Sequence, residues 1–128
     1  MIPTTLVMGG VALDRELAIA DALTGNAALN APLIKSAILL EGFSDGKSTL
    51  SADDKTIIVR IAPGCVCCNN NMIMGIYLNR LIQQKPQQLF LSLSTVSHLE
   101  QIKQFLTAPG YVNILKLTNV LNLNPTVT

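Results

Sequence analysis

Ile57-Ile58-Val59-Arg60-Ile61-Ala62-Pro63-Gly64-Cys65-Val66-Cys67-Cys68-Asn69-Asn70-Asn71 passes from an apolar, β-branched run, through a cluster of thiols, into a polar run. That order reads as strand, loop and helix start: β-branched residues suit a pleated, buried surface, Pro and Gly punctuate it, and asparagine caps a helix. The thiols then belong at the end of a strand, where open α/β sheets bind their ligands. Every cysteine of the protein is here, at Cys65, Cys67 and Cys68.

The same alternation extends in both directions. Thr4 to Met8 reads as a buried strand ending at Gly9-Gly10, and Asp14 to about Leu23 as a helix with Leu13, Leu17 and Ala20 on one face. Ser36 to Leu40 reads as a second strand, Lys55 to Ile61 as a third and Gln88 to Ser94 as a fourth. Asn70 to Gln83 has helical spacing in Met74, Leu78, Leu81 and Ile82. Ser97-His98-Leu99-Glu100 is a capping box that opens a helix carrying Leu99, Ile102, Phe105 and Leu106 and stopping at Pro109-Gly110. Val112 to about Leu121 completes the set as a last strand, with Leu115, Leu117, Leu121 and Leu123 expected on one face and Val120 on the other. Strands alternating with helices predict an α/β fold with a mainly parallel sheet and helices on both faces.

Composition narrows the function. The chain has 128 residues, enough for one domain with a real core. Charged residues are 13%, about half the usual share, so part of an apolar surface is expected to be covered by a second copy of the chain. Net charge is +1 with few aromatics and no basic block, which excludes an electrostatic nucleic-acid binder. No apolar run reaches the roughly 18 residues of a membrane span. The start, Met1 to Thr5, lacks the basic region and apolar stretch of a signal peptide, so the cytoplasm is the expected compartment. Three cysteines, an odd number, argue against a disulfide framework.

Clustered thiolates share a soft ion such as Zn²⁺ or Cu(I), each losing its proton on binding. Cys65 and Cys68 also have the Cys-x-x-Cys spacing of redox proteins, but Cys67 lies between them. Idle thiols in an inherited loop are the remaining alternative. Three ligands leave a tetrahedral site one short. The fourth is open to water, a thiol of a second chain or a partner protein; His98, the sole histidine, is a candidate that reads better as a surface residue of its capping box.

At these residues the chain resembles the CobW-type GTPases, a family of cytoplasmic P-loop proteins linked to metal delivery and metallocofactor assembly. Gly64-Cys65-Val66-Cys67-Cys68 matches that family's Gly-Cys-x-Cys-Cys metal motif. Ile2 to Gly9 is similar to the strand leading into its Walker A loop, and Leu91 to His98 lies where members have a strand ending in Glu-x-Ser/Thr-Gly. The resemblance implies a P-loop-NTPase-like, Rossmann-like three-layer fold over residues 1–128, and a metal held by Cys65, Cys67 and Cys68.

The nucleotide machinery departs from the family pattern. Against Gly-Phe-Leu-Gly-Ala-Gly-Lys-Thr-Thr the chain reads Gly9-Gly10-Val11-Ala12-Leu13-Asp14-Arg15-Glu16-Leu17. Gly9 alone survives as a vestige of the cofactor loop; Arg15 stands for the lysine and Glu16 for the Mg²⁺-binding hydroxyl. Asp14 and Glu16 put negative charge at a helix start, the natural seat of a phosphate, and Arg15 is expected to pair with Glu16 or another carboxylate. Ser92 and Thr95 stand at the later Glu and Gly, and no Asn-Lys-x-Asp motif reads guanine. Set beside that family, the sequence to Thr128 is expected to be a truncated member, shorter than a complete GTPase domain. Gly42-Phe43-Ser44-Asp45-Gly46-Lys47-Ser48 imitates a Walker loop one residue short, but no strong helix follows, and a solvated turn is the better reading. The resulting expectation is a zinc-binding, CobW-like protein in metal handling or regulation, without GTPase activity. Its partners are a second copy and a metalloprotein client. The rival is a partner-binding or structural module that has lost its chemistry; a nucleotide-binding GTPase ranks third.

Overall fold

The computed structural model describes residues 1–28, 35–41, 55–61, 71–93 and 99–123. In chain order the elements are β1 (Ile2–Met8), α1 (Ala12–Ala28), β2 (Ser36–Glu41), β3 (Thr56–Ile61), α2 (Asn71–Gln83), β4 (Gln88–Leu93), α3 (Leu99–Leu106) and β5 (Leu115–Asn122). The strands form one five-stranded sheet in the order β3-β2-β4-β1-β5, with every pairing parallel.

The inner strands owe their places to unbroken hydrophobicity. A strand covered on both faces needs apolar side chains at every position rather than at alternate ones. Leu6, Val7 and Met8 of β1, Ala37 to Leu40 of β2 and Leu89 to Leu91 of β4 meet that need, and all are buried. Successive residues then serve opposite layers. Leu6, Met8, Ala37, Leu39, Leu89, Leu91 and Leu93 pack with Leu78 and Leu81 of α2 and Ile102 and Leu106 of α3. Val7, Ile38, Leu40 and Phe90 pack with Ile19 of α1 on the other face. This is the three-layer α/β architecture expected from the sequence, with helices on both sides of a parallel sheet.

Two expectations are corrected. On α1 the buried positions are Arg15, Glu16 and Ile19, with Ala22 and Leu23 packed against the same cluster, while Leu17 is exposed. The expected stripe of Leu13, Leu17 and Ala20 is therefore not the inward face. Hydrophobicity alone sends Arg15 and Glu16 to solvent; burial becomes acceptable when hydrogen bonds and ion pairs satisfy the charge. Gly25 lies within the helix, which continues to Ala28.

The second correction is on β5. Thr4 pairs with Leu117 but Thr5 with Asn119, so Thr118 is an extra residue in a bulge. One extra residue reverses the facing of everything after it. Leu115, Leu117 and Val120 consequently join the α2/α3 layer, and Leu121 and Leu123 join the α1 layer. Strand β5 forms an edge of the sheet, and both its bulge and exposed Lys116 are features that discourage pairing with a foreign strand.

Candidate functional site

Because every strand is parallel, Met8, Glu41, Ile61, Leu93 and Asn122 end at one edge, the carboxyl edge. Helix α1 carries the chain from β1 across β4 to β2, packing on one face; α3 carries it from β4 across β1 to β5, packing on the other. Connections that leave neighbouring strands towards opposite faces open a crevice between their ends. That crevice lies between β1 and β4.

Arg15 fills it. The residue is 2% exposed. Nε donates to Ser92 Oγ at 2.9 Å. One terminal nitrogen donates to the Gly9 and Gly10 carbonyls at 2.9 and 3.1 Å. The other donates to the Glu41 carbonyl at 3.1 Å. One side chain thus ties together the ends of β1, β2 and β4. Burial pulls the guanidinium below its ordinary pKa, while the carboxylates of Glu41, Glu16 and Asp14 act the other way. The turn that brings these carbonyls inward needs glycine: Gly9 has φ 80° and Gly10 φ 60°. A Cβ on Gly10 would also stand 3.3 Å from Asp14 Oδ2. Gly9 further donates its N–H to the Leu93 carbonyl at 3.2 Å, closing β1 onto β4.

Arg15 lies in the field of Glu41, Glu16 and Asp14, the carboxylates among which the sequence expects its partner, while its hydrogen bonds go to carbonyls and Ser92; the Glu16 carboxylate is hydrogen-bonded from another strand. It receives a two-pronged bond from Arg60 on β3, at 2.9 and 3.2 Å. Glu16 is 3% exposed and Arg60 28%. Planar guanidinium and planar carboxylate match edge to edge, the strongest form of such a pair. The bond fastens β3, an edge strand, to α1, one residue before the last residue of that strand, Ile61. A lone arginine in the apolar run Thr56–Ile61 and a lone acid ending Ser36–Glu41 were the sequence signals for this charge group. Glu41 is buried beside them.

Of the site residues expected from sequence, Gly9 stands at the crevice as an acceptor for Arg15. Cys65, Cys67 and Cys68 lie outside the described residues, as do His98, Thr95, Ser97 and the Gly42–Ser48 loop. In sequence the thiols follow Ile61 and His98 follows Leu93, and these two described residues both end strands at the carboxyl edge. Strands β3 and β4 have β2 between them, so these strand ends stand about 10 Å apart. Among the described residues no group of three or more His, Cys, Asp or Glu is arranged to hold a metal ion. Among them also, no helix is long and apolar enough to cross a membrane.

Comparison with known proteins gives one informative likeness. Over 83 residues, 62% of the chain, the sequence is 36% identical to the zinc chaperone YeiR of Escherichia coli (strain K12). The chain spans 25% of the length of that curated relative. No protein-family model and no solved structure matches it.

Proposed function

We propose that the protein binds zinc through Cys65, Cys67 and Cys68 and works in the handling of that metal, as a CobW-like protein without GTPase activity. The observation that carries the reading is the 36% identity to a zinc chaperone, in a chain whose thiols are all clustered after β3. The donor set suits the ion: thiolates are soft, compact ligands, and Zn²⁺ accepts them with no geometric demand beyond a roughly tetrahedral shell. The topology supports it too, because β3 delivers the chain to the carboxyl edge at Ile61. Zinc here is cargo, and the cytoplasm, where thiols stay reduced, suits its capture.

The lack of hydrolysis is supported by chemistry at the end of β1. Phosphoryl transfer depends on neutralising phosphate charge and on a metal held by a hydroxyl and a carboxylate. Arg15 spends its donors on protein carbonyls and Ser92, and Glu16 occupies the position of the hydroxyl. The test is a pair of calorimetric titrations of the reduced chain. Zn²⁺ is expected to bind, and Mg²⁺ with GTP is not. Mg²⁺-dependent GTP binding tighter than about 100 μM, roughly 5.5 kcal/mol, contradicts the nucleotide half of the reading.

A further inference from the structure

The crevice between β1 and β4 is lined by groups that accept hydrogen bonds. The carbonyl oxygens of Gly9, Gly10 and Glu41 and the hydroxyl oxygen of Ser92 converge on one spot. A phosphate-binding loop presents the reverse lining, a ring of N–H donors. Oxygen atoms pointing inward attract a cation and repel an oxyanion. The buried carboxylates of Glu41 and Glu16 and the nearby Asp14 deepen that preference. The shape is equally selective. Acceptors lie on three sides of a flat, forked group, which fits a guanidinium better than a compact ammonium.

We propose that this crevice is a guanidinium site whose resident ligand is the chain's own Arg15, and that the occupied site fastens the ends of β1, β2 and β4 without any nucleotide, phosphate or divalent ion. The position where an open α/β sheet takes an outside ligand is satisfied from within. The inference concerns residues other than the thiols and holds whether or not they bind zinc.

Thermal unfolding of the metal-free, reduced chain tests it. Arg15→Ala leaves a guanidinium-sized cavity whose acceptors have lost their donors, and its Tm is expected to fall by about 10 °C. Guanidinium or methylguanidinium chloride at about 10 mM is expected to restore part of that loss saturably, against sodium chloride of equal ionic strength, with no gain in the wild type. Inorganic phosphate is expected to restore nothing. Arg15→Lys serves as the second variant and carries the test if Arg15→Ala does not fold. Its ammonium reaches fewer acceptors, so its Tm is expected to lie several degrees below that of the wild type. Three results overturn the proposal: Arg15→Lys as stable as the wild type, restoration of Arg15→Ala by phosphate in place of guanidinium, or a rise in wild-type Tm on adding phosphate or Mg²⁺ with GTP.

Discussion

Replacing Arg60 with alanine strips a nearly buried carboxylate of its two-pronged partner. Glu16 is 3% exposed, so water cannot take over the bonds at 2.9 and 3.2 Å. Breaking a fully buried pair from one side costs about 3–5 kcal/mol, while an exposed pair contributes about 0–1. Arg60 is 28% exposed, which places the cost between these limits, at about 2–3 kcal/mol. For a chain of 128 residues that is a drop in Tm of about 6–15 °C. The two ends of the pair are not equivalent. Glu16→Gln keeps the shape and one acceptor, and the half-accessible guanidinium can turn to water, so this variant should lose about 1 kcal/mol. Denaturant unfolding of the two single variants and the double variant gives the coupling directly, with about 1.5–2.5 kcal/mol expected. Raising salt from about 0.05 to 0.5 M should remove less than half of it, since a desolvated pair is poorly screened. A coupling below about 0.5 kcal/mol, with Arg60→Ala melting within 2 °C of the wild type, would refute the claim that this pair holds β3 to α1.

Deletion of Thr118 removes the bulged residue, leaving Thr4 opposite Leu117 and Thr5 opposite Asn119 as before. The loss should be little more than the Thr118 hydroxyl bond to the Thr4 carbonyl, about 1 kcal/mol in urea unfolding; in an unbulged strand it would turn Leu121 and Leu123 to the wrong face and cost above about 3 kcal/mol. The low charged share predicts self-association, directed by the bulge and Lys116 away from the β5 edge. Light scattering at about 50 μM should report a dimer, and a mass of 13.7 kDa unchanged on dilution contradicts it.

Much of the architecture was legible from local pattern. The apolar runs at Thr4–Met8, Ser36–Leu40 and Gln88–Ser94 marked buried parallel strands because hydrophobicity at consecutive positions over so short a span suits a strand covered on both faces. Leu78, Leu81, Ile102 and Leu106 were readable as inward faces because their helices obey the apolar period. The failures share a physical cause: each depends on contacts remote in sequence. Arg15 and Glu16 turn inward because Ser92, Glu41 and Arg60 meet them there, from strands 26 to 77 residues away. The β5 bulge arises from its pairing with β1, and no turn residue announces it. For the site, the charged pair Arg15 and Glu16 at the start of α1 was visible. That the arginine would grip backbone carbonyls was not, since such acceptors have no side-chain signature. The thiol cluster lies outside the described residues; what the structure shows of the strand–loop–helix reading is the strand that ends at Ile61 and the helix that begins at Asn71.

Zinc capture by the thiols is read directly by competition for Zn²⁺ between the reduced protein and a chromophoric chelator, on protein purified without a metal-affinity tag. About one equivalent per chain is expected, released as pH falls through the thiol pKa values because each ligand must lose its proton to bind. Cys67→Ser should lose most of the affinity. Less than about a tenth of an equivalent at micromolar free Zn²⁺, or full binding by a variant with Cys65, Cys67 and Cys68 all replaced by serine, would contradict the account.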